Sequence, residues 1–425
     1  MIPKLRNFHA SAWFIPLLYA AGALVLGFTV PRLAYSILPG YLSAVSVGAA
    51  IGIYSAIASG MIALTGIVFS ITFLMVQFSA TAYSPRLVLW IARDPVLSHS
   101  MGVFTATFLY AIAALAWVDR GGSGRVPLSG TLLVTVLLVV SVIMFIFLIQ
   151  RVGMLQVNRM LVFTADQGRK TIESLYPSLS TPAYQGSPQM IDTQCLQTLV
   201  HYGRPSIIQE IDIQALVEIA IRNECAIELV PSIGDAAYDT TATVRVFGKG
   251  TPIPEDILRP LIRFGGERTF TQDPKYAIRL LVDIAIKALS AAINDPTTAV
   301  QALDQIEDLL IRLGRRRLEI GTFCDTAGTP RLLVTFPTWD DFLHLAFDEI
   351  GFYGATSIQV MRRMKALVNG LLSMLPEERH AALRHWQERL RLTVERSFAD
   401  PLDKLEASYE DRQGLGSPRR KLKSA

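Results

Sequence analysis

Polar and apolar residues are spread so unevenly along this chain that the pattern divides it before any motif is consulted. Between Leu33 and Pro85 there is no Asp, Glu, Lys or Arg, a run of more than fifty residues. That is too long for an element buried in a soluble core. Further apolar stretches flank it: Trp13 to Val30 before, Met101 to Val118 and Val126 to Gln150 after. A bilayer core takes about 20 apolar residues per helix, so this part of the chain reads as membrane-embedded. The segment from about 42 to 83 admits either one very long helix or two spans turning near Ser59-Gly60. At about 100° per residue, Gly48, Gly52, Ser55, Ser59, Ala63, Gly66, Ser70, Phe73, Gln77 and Thr81 fall within an arc of roughly 80°. A central turn would not keep that phase. The pattern predicts a single helix around 60 Å long, and four spans over about 13–30, 42–83, 101–118 and 126–150.

The small and hydroxyl residues of that arc admit two readings. Closely approaching helix backbones need Gly, Ala, Ser and Thr at their contact, so the arc can be a packing seam within the bundle or between subunits. It can also be a pore wall, with Ser70, Gln77 and Thr81 facing water. Packing is the preferred reading, because small-xxx-small faces are common in polytopic proteins, and the two can coexist in an oligomer. No Asp, Glu, Lys or Arg lies at depth in any span. Proton-coupled carriers and pumps place titratable or charged stations there, so proton-coupled transport is disfavoured. His99, beside Pro95, reads as interfacial.

Charge then separates the two parts of the chain. Up to Met160 there are nine basic residues against two acids, Asp94 and Asp119, and the remainder holds 31 basic and 34 acidic residues. The overall +4 belongs to the membrane half and is no argument for nucleic acid. With four spans, Lys4, Arg6, Arg86, Arg93, Arg151, Arg159, Arg169 and Lys170 share one side, while Arg32, Arg120 and Arg125 take the other. The positive-inside rule then predicts cytoplasmic N- and C-termini. The first apolar run is long and no convincing small-x-small cleavage site precedes Pro31, so it reads as an uncleaved span. Cys195, Cys225 and Cys324 have irregular spacing and no CxxC, which supports neither a disulfide framework nor a thiolate metal site, and three free thiols suit a reducing cytoplasm.

Beyond residue 160 short strands alternate with helices, predicting a cytoplasmic α+β region after a membrane all-α part. Strands are expected at Ser206 to Ile211, Ala226 to Val230 and Ala242 to Phe247, with an Asp212-capped helix to Asn223. These make a small α+β module over 161–254. A mainly helical region over 255–400 follows: Glu255 to Phe264, Pro274 to Leu289, Pro296 to Leu313, a strand from Arg331 to Phe336, and helices from Trp339 and Ser357. Thr338-x-x-Asp341 reads as a capping box. The stretch 401–425 reads as a basic, disordered tail whose Arg419, Arg420, Lys421 and Lys423 solubilise the chain end or touch anionic lipid.

Two Asp-Pro steps, Thr271-Gln272-Asp273-Pro274 and Ile293-Asn294-Asp295-Pro296, are accounted for by capping alone. Asp accepts orphan N–H bonds at the N-cap, and Pro at the first helical position has no N–H to leave unsatisfied. The alternative is a binding site for a small polar or anionic ligand, with both helix starts converging on Arg268, Gln272, Asp273, Arg279, Asp283, Asn294, Asp295 and Thr298. Arg279 and Asp283, at i,i+4, also suit a simple surface pair.

Gly266-Glu267-Arg268-Thr269 through Gln272-Asp273, Tyr276 to Ala285, and Ala288-Leu289-Ser290-Ala291-Ala292-Ile293-Asn294-Asp295-Pro296-Thr297-Thr298-Ala299 resemble a bacterial predicted-membrane-protein family, domain of unknown function 2254. Val68-Phe69-Ser70-Ile71 and Phe78 to Arg86 extend the resemblance through nearly the whole chain. It implies a polytopic inner-membrane protein and no stated activity. Gly234-Asp235-Ala236-Ala237 departs from the apolar pair the family tends to place after Gly-Asp, which leaves that turn and strand open.

There is no GxSxG, P-loop, GxGxxG or HExxH, and His344, His380 and His385 read as surface or packing residues on helices. No catalytic residue, metal or cofactor is expected. The preferred reading is a homo-oligomeric, channel-like membrane protein with a cytoplasmic regulatory domain, its partners being the lipid bilayer, further copies of itself and a small ligand or ion. The alternatives are a membrane-anchored sensor or scaffold and, more weakly, a hydrolase-like enzyme on the Arg268 to Asp295 residues.

Overall fold

The computed structural model of the protein describes residues 14–37, 45–82, 95–120, 124, 126–152, 157–179 and 194–417, with backbone only at 34–37, 76, 78–82 and 151–152. The expectations for Lys4, Arg6, Arg86, Arg93 and Arg125, for the side chains of Thr81 and Arg151, and for Arg419 to Lys423 lie outside the described residues. The chain divides into two compact units, Met1–Gln156 and Val157–Ala425.

The first unit holds helices α1 (Phe14–Ile37), α2 (Val47–Ala82), α3 (Pro95–Leu115) and α4 (Leu128–Val152). Each is long and apolar enough to cross a membrane. Helix α2 runs unbroken for 36 residues, about 54 Å, without a turn at Ser59-Gly60. Helix α3 is the hub on which α1, α2 and α4 pack. Small residues make that possible: a Cβ at Gly102 would sit 2.7 Å from the Tyr19 ring, and one at Gly27 would sit 2.5 Å from Ala113 Cβ. Two pairs of polar groups meet between helices. Thr107 Oγ1 and Ser141 Oγ lie 2.9 Å apart in the interior, and Tyr54 Oη lies 2.8 Å from Thr131 Oγ1. Such bonds contribute about 0.6 kcal/mol each on average. His99 Nδ1 is 3.1 Å from Tyr19 Oη, which ties the start of α3 to α1.

The second unit begins with α5 (Val157–Leu175), a helix the sequence reading did not anticipate. Its inner face is Leu161, Thr164, Ala165, Gly168 and Ile172, and it packs on α8 (Pro274–Ala288) and α9 (Pro296–Gly314). A Cβ at Gly168 would meet Ala277 Cβ at 2.8 Å. On the outside of this contact Arg169 bonds Asp308 at 2.6 Å and Gln305 at 2.9 Å, and Arg312 bonds Glu173.

Two sheets follow. One has the order β1 (Cys195–Val200), β5 (Ala242–Phe247), β3 (Ala226–Leu229), β8 (Pro330–Val334), β7 (Thr322–Cys324), antiparallel except where β3 pairs parallel with β8, Ile227 opposite Leu332. The other is β4 (Ala236–Ala237), β2 (Ser206–Ile211) and β6 (Ile262–Gly265). Helix α6 (Ile213–Arg222), capped by Asp212, covers the β3–β8 pair. The shared core includes Ile208, Leu216, Ile227, Val244, Val246 and Leu332. The sheet thus draws strands from both sides of the boundary expected at 254/255. Glu255 to Phe264 is not one helix either. A short helix α7 (Glu255–Leu258) stops at Pro260, and Ile262–Gly265 pairs with β2. Proline in a helix interior removes an N–H and clashes with the preceding turn.

The remaining helices are α10 (Trp339–Tyr353), α11 (Ile358–Met374), α12 (His380–Ser397) and α13 (Pro401–Ala407). The Thr338/Asp341 capping box is present, with the Thr338 N–H donating to Asp341 Oδ2 at 2.8 Å. Residues 401–417 are not a free tail. Asp411 is buried and its carboxylate accepts the N–H groups of Gln413, Gly414 and Gly416, while the Arg362 guanidinium bonds Glu406 and the Gly416 carbonyl.

Candidate functional site

The loop from β6 to α8 carries Arg268, Gln272 and Asp273. Asp273 caps α8, accepting the Tyr276 N–H at 3.2 Å, and its second oxygen accepts Arg268 Nη1 at 2.8 Å. The carboxylate is almost fully buried, while Arg268 is about one-third exposed. Burial pushes the Asp273 carboxyl above its ordinary value, and Arg268 opposes the shift. Gly234 closes the cluster. Its φ is +88°, and a Cβ there would lie 2.5 Å from Asp273 Oδ2 and 2.6 Å from Arg268 Nη1, so the turn before β4 tolerates only glycine. The Ala236-Ala237 pair after it is a strand, opposite Ser206 and Ile207. Gln272 acts as one rung of a strand: its amide donates to the Ile211 carbonyl at 3.1 Å and accepts the Ile211 N–H at 2.9 Å.

Arg279 and Asp283 form a second cluster on α8. Arg279 Nε donates to Asp283 at 2.6 Å and Nη2 to Glu349 of α10 at 2.5 Å. Burial alone would lower the guanidinium pKa, but the two carboxylates outweigh it and hold it above the ordinary arginine value.

The third cluster is the start of α9. Asp295 accepts the Thr298 N–H at 3.1 Å and its hydroxyl at 2.6 Å, and Asn294 adopts φ +50°. The Asp295 N–H donates to the Ala288 carbonyl at 2.8 Å, the last residue of α8.

The two Asp-Pro steps therefore sit at opposite ends of α8. Fifteen residues at about 1.5 Å each separate them by roughly 20 Å. The eight residues form three clusters, each capping a helix or joining two elements. The Thr298 hydroxyl meets the Asp295 carboxylate as part of the cap, and among the described residues no His, Cys, Asp and Glu group is arranged to hold a metal.

On α2 the described stripe positions Gly48, Gly52, Ser55, Ser59, Ala63, Gly66, Ser70, Phe73 and Gln77 are all exposed, and a Cβ at Gly48, Gly52 or Gly66 would meet no atom within 4 Å. The opposite face, with Tyr54, Ala58, Met61 and Val68, is buried in the bundle. The Ser70 hydroxyl donates to the Gly66 carbonyl of its own helix at 3.0 Å.

Sequence reasoning placed a turn at Gly234 but not its packing against Asp273 and Arg268, and it missed Glu349 and two cavities beside α12, of about 460 and 410 Å3. The positive-φ turn was signalled by Gly-Asp. The others are set by tertiary packing and left no local signal.

A family model described as "Predicted membrane protein (DUF2254)" matches residues 9–369. Uncharacterized proteins of Mycobacterium tuberculosis and Mycobacterium bovis are 26% identical to the chain over 376 residues, covering 84% of this chain and 70% of theirs. No solved structure matches.

Proposed function

Because the chain belongs to the DUF2254 family of predicted membrane proteins, we propose that it works as a homo-oligomer in a bacterial inner membrane. The α2 helices of several copies meet along the small-residue stripe and enclose a channel-like path, and the second unit is a cytoplasmic regulatory domain. The observation that carries this reading is the exposure of the whole described stripe, since packing within the chain is done by α3. Glycine and serine on a lipid-facing surface bury little apolar area, whereas between helices they let backbones approach. Helix length points the same way. At about 54 Å, α2 exceeds a hydrocarbon core of about 30 Å, yet it carries no charged residue, so its excess turns call for cover by protein. Ser55, Ser59, Ser70 and Gln77 would supply a neutral polar lining, and the lack of ionisable groups favours passive conduction over pumping.

Native mass measurement of purified protein together with planar-bilayer conductance tests the reading. A multimer that conducts is expected, and a monomer, or a multimer silent under all voltages, defeats it. The orientation is tested by reporter fusions after Arg169 and after Ala425: both should report cytosolic, and a periplasmic signal from either defeats the four-span topology with internal termini. The cavities of the second unit favour the second reading, a membrane-anchored sensor or scaffold, which binds a ligand without ever conducting.

A further inference from the structure

The larger cavity, about 460 Å3, lies between α11, α12 and α13 and takes no part in the three clusters above. Its floor is apolar, formed by Met361, Val368, Leu390, Val394 and Ala407, all buried. Its rim is cationic, with Lys365, Arg384 and Arg391 against the single acid Glu388. Glu388 is already matched, accepting Arg391 Nε at 2.9 Å and Nη2 at 2.7 Å. Lys365 Nζ donates to the Ser408 carbonyl at 2.6 Å and has no carboxylate partner among the described residues, so two of its donors remain for a ligand. Arg384 is exposed and has neither an ion pair nor a hydrogen bond among the described residues. The rim therefore carries an excess of two positive charges over a deep apolar floor.

We propose that this cavity binds an amphiphilic anion, an aliphatic chain with a carboxylate or phosphate head. The chain lies on Met361, Val368, Leu390 and Val394, and the head takes charge-assisted bonds from Arg384 and Lys365. Lysine can keep Ser408 while donating to the head. Pockets of this size with apolar walls and a few convergent polar groups suit small ligands, and the two halves of this one narrow the class. Inorganic phosphate would leave the floor uncovered, a neutral lipid would leave the cations unmatched, and no aromatic side chain lines the cavity to stack a base. The family match ends at residue 369. Met361, Lys365 and Val368 lie within it and Arg384, Leu390, Val394 and Ala407 beyond it, and the proposal stands whether or not the first unit conducts.

The test uses the full chain in phosphatidylcholine nanodiscs and a fatty acid bearing a photoreactive diazirine, with cross-links mapped by peptide mass spectrometry. Labelling is expected on peptides spanning Met361 to Val368 and Leu390 to Val394. Unlabelled dodecanoate should compete, and dodecanol and inorganic phosphate should not. Arg384→Glu should reduce labelling roughly tenfold at unchanged melting temperature, the size of one charge-assisted bond. Val394→Trp, which fills the cavity and leaves the rim alone, should abolish it. Repeating the experiment in phosphatidylglycerol nanodiscs identifies the source: suppression assigns the site to bilayer lipid, and persistence assigns it to free fatty acid. Labelling confined to α1–α4, dodecanol competing as well as dodecanoate, or labelling indifferent to both substitutions would overturn the proposal.

Discussion

Replacing Gly66 by leucine sets the α2 stripe's two fates against each other. In a single chain the substitution has room, because a Cβ at Gly66 meets nothing within 4 Å. Removing glycine from a helix interior is itself favourable by about 0.5–1 kcal/mol relative to alanine, so the isolated chain should melt at or slightly above the wild-type temperature. Between closely packed copies the same side chain overpacks the contact at a cost of about 1–3 kcal/mol, which weakens each contact roughly 5- to 150-fold. Native mass spectrometry from detergent, run beside bilayer recordings, should then show a shift to smaller species and loss of conductance without loss of fold. Gly102→Leu is the internal control. Its Cβ would fall 2.7 Å from the Tyr19 ring, so it should lower the melting temperature of the chain whatever the assembly state. Wild-type mass and conductance from Gly66→Leu would refute the reasoning and leave the stripe facing lipid.

Substitutions at three other positions probe the second unit. Gly234→Ala should cost about 1–2 kcal/mol for the left-handed backbone alone, and more from the clash with Arg268 and Asp273, read as a drop in melting temperature; an unchanged value would contradict the turn geometry. Asp295→Asn should be tolerated and Asp295→Ala should cost about 1 kcal/mol, with equal losses from both variants arguing for a role beyond capping. Asp273 has a raised carboxyl pKa in the fold, so its protonation favours the folded state. That contribution is complete below the ordinary value of 3.8 and is lost as pH rises through the raised one. Wild type should therefore lose stability relative to Asp273→Asn with rising pH across that window, and a constant difference would show that burial does not control this group.

The long-range periodicity of the membrane half was legible because one physical demand, apolar contact with lipid, acts on every residue there. The α2 phase from Gly48 to Gln77 predicted an unbroken helix, and the stripe proved to be one face. What it could not say is that α3, through Gly102 and its alanines, would do the packing within the chain. In the second unit, cap-marked helices such as those at Asp212, Asp273, Asp295 and Thr338 were readable from local chemistry. Helix α5 was legible too: its buried Leu161, Ala165, Gly168 and Ile172 oppose a polar face with a contrast as strong as that of α8 and α9, so the sequence reading missed a signal that was present. Strand β1 buries one side chain fully, Leu199, which is too little to mark an alternation. Residues 401–417 are tied back by the Arg362 bonds to Glu406 and to the Gly416 carbonyl, contacts between distant positions that no local window contains. Asp273 and Asp295 cap their helices and Arg279 bonds Asp283, as local chemistry allows, but the separation of these groups along α8 depends on where Ala288 ends the helix.

The parallel pairing of β3 with β8 sets an order of events during biosynthesis. Ile227 finds its partner Leu332 only after α8 and α9 have been made, so the large sheet waits for about a hundred residues to leave the ribosome. Contacts of such separation close slowly, and until then β3 offers an open edge to other nascent chains. Chains ending between 254 and 330 would carry that edge permanently. Fragments cut at that apparent boundary should aggregate, whereas a cut before Val157 should release a segment able to complete its own sheet.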